Sequence, residues 1–290
     1  MQGNSISAEI NETEIVKYYE DCQVDYEILW YLDSMMCMHY GYWDESTRTA
    51  KHALNNMNKQ LALFGNLQKG QRVLDAGCGV GGSSFFLAKT YGCPTEGITL
   101  SEKQVEVCKA NSKKLGLQES CNFSKQNYLN TAFPDNSFDV VWGMESVCYA
   151  WDKKDFLKEA YRVLKPGGTL VVADFFSTPY HPNSKDADLM KKWANTWAIK
   201  SYAGIEEFWE KMDGTGFVDM QRKDVTPNVV KSIFHLYFAF FPGWIITNIS
   251  QLLGLRNKTQ TANTWSTYYQ YKAYKKKLWR YYFYTATKPM

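Results

Sequence analysis

The sequence predicts an α/β fold in which a seven-stranded sheet is covered by helices on both faces and topped by a mostly helical cap. Strand-like apolar runs alternate with helical periodicity from Gln71 to Phe175, the pattern of a largely parallel sheet. The first run, Val73-Leu74-Asp75-Ala76, passes straight into the turn Gly77-Cys78-Gly79-Val80-Gly81-Gly82, a strand-to-helix connection dense in glycine. Near the end of the chain Leu278 to Thr287 forms an aromatic, β-rich run suited to a closing strand.

Taken in order, residues 12 to 33 carry Ile15, Tyr18, Tyr19, Val24, Ile28, Leu29 and Leu32 at helical spacing. Arg48 to Phe64 repeats Ala50, Leu54, Met57, Leu61 and Phe64 in the same way. Between these two amphipathic helices lies the aromatic loop Met38-His39-Tyr40-Gly41-Tyr42-Trp43. The alternation then predicts strand 72–76, helix from 83, strand 94–98, helix from 102, strand 121–125, strand 138–144, helix 153–164 and strand 169–175. Residues 180–212 read as helical, Phe217 to Val225 as a strand after the Gly214-Thr215-Gly216 turn, and 228–277 as a second helical insertion. The organisation expected is an N-terminal helical cap (1–65), a nucleotide-binding core (66–178), a helical insertion (179–213), a core strand region (214–227), a helical lid (228–277) and the closing strand (278–290).

A chain of 290 residues with 45% hydrophobic and 22% charged side chains is globular, and its net charge of +3 is too small to argue for a nucleic-acid partner. The cysteines (Cys22, Cys37, Cys78, Cys93, Cys108, Cys121, Cys148) are scattered with no C-x-x-C pair, and the histidines are dispersed, so neither a disulfide framework nor a metal is expected. Met1 to Glu12 is polar, which points to a cytoplasmic site of action. Ile233 to Leu255 is the one stretch with the apolarity of a membrane span, but His235, Pro242-Gly243, Thr247, Asn248, Ser250 and Gln251 interrupt it. It reads as a buried or lid helix, with peripheral contact to lipid or a greasy substrate as the alternative. The Lys272, Lys275, Lys276, Lys277 cluster is either a solvated helix face or a partner for anionic headgroups.

Gly77, Gly79 and Gly82 fit G-x-G-x-x-G, which alone suits a dinucleotide dehydrogenase equally well. Two further segments break the tie: Phe133-Pro134-Asp135-Asn136-Ser137-Phe138-Asp139-Val140-Val141-Trp142 and Tyr161-Arg162-Val163-Leu164-Lys165-Pro166-Gly167-Gly168-Thr169-Leu170. In this order and spacing, the three motifs resemble the class I S-adenosylmethionine (SAM) dependent methyltransferases over at least Val73 to Phe175. The resemblance implies a Rossmann-like seven-stranded sheet and SAM as cofactor.

It also implies site residues. Asp75, Gly77 and Gly79 surround the methionine part of SAM, unless Asp75 only caps the glycine turn. Gly97-Ile98-Thr99-Leu100-Ser101-Glu102-Lys103-Gln104 lacks the ribose-binding acid common after the second strand. It resembles instead the G-I/V-T-L-S-x-x-Q segment of tocopherol-type and cyclopropane-fatty-acid-type methyltransferases, which implies that Thr99, Leu100 and Gln104 line the adenosine. A capping box with Ser101 and Gln104 is the structural alternative. Asn127, followed by Tyr128, stands where such enzymes hold the adenine amine, and its amide oxygen can accept that bond.

The segment Trp142-Gly143-Met144-Glu145-Ser146-Val147-Cys148-Tyr149 resembles the end of the fourth strand in tocopherol-type and sterol C-methyltransferases. Glu145 is then a general base, a cofactor contact or a structural acid. Tyr18-Tyr19-Glu20 and the His39 loop resemble the N-terminal elements that close over SAM in the same enzymes, which brings Tyr19 to the cofactor and makes His39 a second catalytic candidate. The acceptor expected is a hydrophobic carbon nucleophile of isoprenoid, sterol or prenylated-ring type. A small polar amine or hydroxyl, as in glycine- or phosphoethanolamine-type enzymes, is the alternative. The oligomeric state is not legible.

Overall fold

The computed structural model describes residues 12–22, 25, 35–199 and 202–290. Val24, Ile28, Leu29 and Leu32 of the first expected helix lie outside the described residues. The helices are α1 (Glu12–Asp21), α2 (Ala50–Phe64), α3 (Gly82–Tyr91), α4 (Glu102–Leu115), α5 (Lys153–Val163), α6 (Lys185–Thr196), α7 (Ile205–Asp213), α8 (Thr226–Leu252) and α9 (Lys258–Lys275). The strands are β1 (Val73–Ala76), β2 (Thr95–Thr99), β3 (Cys121–Lys125), β4 (Phe138–Met144), β5 (Leu164–Ser177), β6 (Val218–Asp224) and β7 (Trp279–Thr287).

They form one seven-stranded sheet in the order β3-β2-β1-β4-β5-β7-β6. The sheet is mixed: β1 to β5 pair in parallel, while β7 runs antiparallel to both of its neighbours, β5 and β6. The period-2 alternation of a strand assigns side chains to the two faces. Val140, Trp142, Val171, Ala173, Phe175, Tyr281 and Phe283 pack in one core with residues of α2, α6 and α8. Val141, Leu170, Val172, Phe176 and Tyr284 pack in another with residues of α5 and α7. Burial on both faces explains the near-continuous apolar runs of β1 and β4.

Two consequences of this topology position the site. The chain winds outward from β1 to β3 and then returns to β4 on the other side of β1, so the order reverses between β1 and β4. In open α/β sheets the crevice outside the carboxyl ends of strands at such a switch point is where ligands sit. The turn beginning at Gly77 and the turn holding Glu145 both open there. Moreover β6 ends and β7 begins at that same edge, and α8 and α9 occupy the connection between them. The helical hairpin therefore emerges over the crevice.

The expected break at Pro242-Gly243 does not occur, and α8 runs through Pro242. Proline removes one intrahelical bond, but Pro242 lies on the exposed side, beside the exposed Phe238 and Phe241. The resulting helix is long and apolar enough to cross a membrane by length and composition. Its first half is anchored in the protein by buried Val229, Ile233, Leu236 and Phe240.

Candidate active site

All residues singled out from the sequence, Tyr19, His39, Asp75, Gly77, Gly79, Thr99, Leu100, Gln104, Asn127, Tyr128 and Glu145, line one cavity at the switch point. Gly77 closes β1 with φ +98°, and a Cβ there would come 2.4 Å from Cβ of Ser146, in the turn after β4. Glycine thus lets the β1 and β4 turns touch. Ser146 ties them together by donating from Oγ to the Ala76 carbonyl at 2.5 Å. The N-cap of α3 is Gly81, which supplies no side-chain cap, and Gly79, Val80, Gly82 and Ser83 face the cavity. A helix N-terminus of this kind presents backbone donors to a ligand.

Asp75 accepts a bond from Ser84 Oγ at 2.7 Å, so the acid does brace the start of α3 while also lining the cavity. Burial raises its carboxyl to about 6, opposed by the Ser84 bonds. Ser101 caps α4 by accepting from Gln104 N at 3.3 Å, but the Gln104 side chain does not reach back to complete a box. Gln104 Oε1 instead accepts from Thr99 Oγ1, holding both side chains on the cavity wall. Asn127 donates to Glu12 of α1 at 2.6 Å, and its Oδ1 accepts from Leu129 N at 2.8 Å. Tyr128 donates to the Ser146 carbonyl at 2.8 Å.

Glu145 sits just past β4 at φ +49°, a left-handed conformation uncommon for a residue with a side chain and one that clusters at functional sites. Its Oε1 accepts from Tyr40 N and from Tyr281 Oη, both at 2.6 Å. Burial pushes its pKa up to about 8, against the lowering effect of those two donors. His39 is buried and held neutral, its pKa lowered by burial to about 4. Nδ1 donates to the Tyr40 carbonyl at 2.9 Å and Nε2 accepts from Asn58 at 3.3 Å, so both ring nitrogens are engaged by the protein. Through Tyr40 the His39 ring steadies the segment whose N–H reaches Glu145.

A second cavity adjoins the first and shares Tyr19, Met38, Glu145 and Tyr149 with it. Phe175 and Trp197 wall it from the sheet side, while Leu236, Ala239, Phe240, Gly243, Ile246 and Thr247 of α8 and Asn263, Thr264, Ser266 and Thr267 of α9 close it from above. Tyr19 donates to Tyr149 at 2.7 Å across the junction. Asp25 and Arg256, also in its wall, form a two-pronged ion pair at 2.7 and 2.8 Å, and Asn263 donates to Asp25 at 3.0 Å. Sequence reasoning missed this second lining almost entirely, Tyr19 and Glu145 apart. The helical period of 228–277 announced a lid, but which of its side chains face inward depends on the packing of α8 against α9. Among the described residues no group of three or more His, Cys, Asp or Glu is arranged to hold a metal ion.

A model described as a methyltransferase domain matches residues 74–190. The chain is 31% identical over 189 residues to 27-O-demethylrifamycin SV methyltransferase of Amycolatopsis mediterranei, covering 65% of this chain and 69% of that protein. It is 40% identical over 158 residues to 2-methyl-6-phytyl-1,4-hydroquinone methyltransferase of Synechocystis sp., covering 53% of this chain and about half (49%) of that one. Geranyl diphosphate C-methyltransferase from Streptomyces coelicolor shares the fold with a TM-score of 0.74 over 99% of this chain and 100% of that one, at 19% identity. With the matched segment running from β1 past the switch point, the chain belongs to the class I S-adenosylmethionine-dependent methyltransferases.

Proposed function

We propose that the enzyme transfers the SAM methyl group to a carbon of a hydrophobic acceptor of isoprenoid, sterol or prenylated-ring type. The observation that carries this reading is the second cavity. It meets the first at Glu145, and Phe175, Trp197, Leu236, Ala239, Phe240 and Ile246 make its walls apolar. Apart from Glu145, its ionisable acid and base, Asp25 and Arg256, neutralise each other, which suits a mostly apolar ligand. The phytyl-hydroquinone and geranyl diphosphate named for the two similar proteins are acceptors of this chemistry.

The residues of the first cavity fit SAM. The uncapped N-terminus of α3 and Asp75 suit its amino-acid end, Thr99 and Gln104 its ribose, and the Asn127-Tyr128 turn its adenine. Bound there, SAM supplies an electrophilic methyl group on a sulfonium. The walls align the acceptor carbon with that methyl, and alignment of this kind is worth up to about 7–11 kcal/mol of barrier. As the acceptor's π electrons form the new C–C bond, the S–CH3 bond breaks and its electron pair stays on sulfur. The acceptor is left cationic and must then lose a proton. Tyr149, Phe175, Trp197 and Phe240 offer ring faces that attract a cation by about 0.5–2 kcal/mol each. Glu145 is the base: Tyr40 and Tyr281 hold Oε1, and Oε2 carries no protein bond among the described residues.

The reading is tested by incubating the enzyme with deuteromethyl SAM and a panel of prenylated quinols, sterols, prenyl diphosphates, amines and small alcohols, followed by mass spectrometry. Carbon-linked label on an isoprenoid-bearing acceptor is expected. Turnover confined to glycine, phosphoethanolamine or other small polar acceptors overturns it.

A further inference from the structure

We propose that the exposed side of α8, with the turn that follows it, docks on the surface of an anionic phospholipid bilayer, and that the acceptor passes from the bilayer into the second cavity through this side. The second clause rests on the acceptor class proposed above; the first does not.

The apolar surface is concentrated in one segment. Phe238, Phe241, Trp244, Ile245, Ile246 and Ile249 are all exposed, and Leu252, at 91%, leads into exposed Leu253 and Leu255. The other exposed large apolar side chains among the described residues, Leu63, Trp151, Val218 and Met290, are scattered along the chain. Scattered apolar residues are ordinary on a protein surface, whereas a contiguous patch marks a surface that meets something apolar. The spacing Phe238, Phe241, Ile245, Ile249, Leu252 runs three or four residues at a time along one side of a helix.

That side and the second cavity belong to the same helix. Leu236, Phe240 and Thr247 face inward and are buried, whereas Ile246 is 62% exposed and also lines the cavity. At Ile246 the cavity wall and the outer surface are one side chain.

Charge decides between occupants. Every charged side chain from residue 226 to 277 is basic: Lys231, Arg256, Lys258 and the four lysines from 272 to 277. Arg256 and Lys276 have carboxylate partners in Asp25 and Asp186, but no acidic side chain on the hairpin opposes approach to a negative surface. Lysines near an anionic leaflet contribute about 1 kcal/mol each. A second copy of the chain is disfavoured by the same charges, because a two-fold interface would bring this basic hairpin against itself. A spanning arrangement is disfavoured by Val229, Ile233, Leu236 and Phe240, which would have to leave the core. The geometry is that of a helix lying in the interface.

The experiment is co-sedimentation of the full chain, without acceptor, with vesicles of phosphatidylcholine alone or mixed with phosphatidylglycerol. Binding to the mixed vesicles is expected, about tenfold or more tighter than to neutral ones and weakened by salt. The triple variant Ile245→Ser/Ile249→Ser/Leu252→Ser, which touches neither cavity, should lose about tenfold or more of that binding. Its SAM affinity by calorimetry and its mass by sedimentation should match the native protein. A native protein that stays in the supernatant at lipid excess overturns the proposal, as does a triple variant that binds like native. A native dimer that the triple variant converts to a monomer also overturns it and identifies the patch as a subunit interface. Because no acceptor is present, these outcomes are independent of whether an isoprenoid is the substrate.

Discussion

Beyond the ends of β1, β2 and β4 the protein builds its cavity from turns, and the local sequence spells those turns out. Under the α8–α9 hairpin it builds a cavity from side chains that packing alone brings together. Gly77 can be recognised from its neighbours, whereas Arg256 and Asp25 meet across 231 positions of sequence. A turn that must admit a backbone contact tolerates few residues; an apolar wall accepts many, provided volume is kept. The difference predicts that substitutions on the two sides separate, one set changing the methyl donor's affinity and the other the acceptor's, with Tyr19, Met38, Glu145 and Tyr149, which line both cavities, speaking to both.

The largest effect is expected at that junction. Glu145→Gln keeps the bonds to Tyr40 N and Tyr281 Oη but takes no proton, so kcat should fall by about 10² to 10⁴, far more than SAM affinity changes. Near-native turnover would remove the base from the scheme. Next comes the donor side: Gly79 has φ +53°, and a side chain there points at Met38 Cε, 2.7 Å from its Cβ. Gly79→Val should weaken SAM binding by about tenfold or more, measured by calorimetry, and through the displaced Met38, which lines both cavities, should change acceptor KM by less. On the acceptor side Ala239→Phe fills part of the second cavity only. A rise in acceptor KM with unchanged SAM affinity would sharpen the comparison; an equal change in both would break it.

The smallest effects are in protons. With its carboxyl raised to about 8 by burial, Glu145 is mostly protonated at neutral pH until a sulfonium beside it favours the carboxylate. SAM titrated near pH 7 in buffers of different ionisation enthalpy should therefore release a fraction of a proton, and Glu145→Gln should release less. The same shift has a stability sign. Because the folded pKa lies above the unfolded one, the contribution of Glu145 is complete below the ordinary carboxyl range and is lost as pH rises through about 8. Glu145→Gln should gain in Tm relative to native above that pH, a gain that thermal melts on either side of it would detect.

The sheet was legible because its signals are local. Strand β1 was expected at 72–76 and spans Val73–Ala76, and β4 was expected and found at 138–144. The antiparallel closing strand was visible as a strand but not in direction, since a β-rich run carries no sign of its own. Pro242 misled because a helix-breaking residue on the solvent side of a well-anchored helix costs one bond and no packing. Glu145 itself was legible from its place after β4. Its chemistry was not, because the donors that hold it come from Tyr40 and Tyr281, 105 and 136 positions away. The alternatives for Asp75 and Gln104 turned on single bonds, from Ser84 and Thr99, whose geometry no spacing encodes.

The hairpin leaves the sheet after Asp224 and returns to it by Trp279, and the two flanking strands are neighbours: Asp224 is paired with Tyr282, and Val225 N donates to the Tyr281 carbonyl at 2.9 Å. An insertion whose two ends are already stitched together can change in its outer part with little disturbance to those strands, whereas its base, with Val229, Ile233 and Leu236 in the core of the sheet, belongs to the scaffold. The outer part of the hairpin is therefore where the lining of the second cavity can be rewritten while the turns at the strand ends are left untouched.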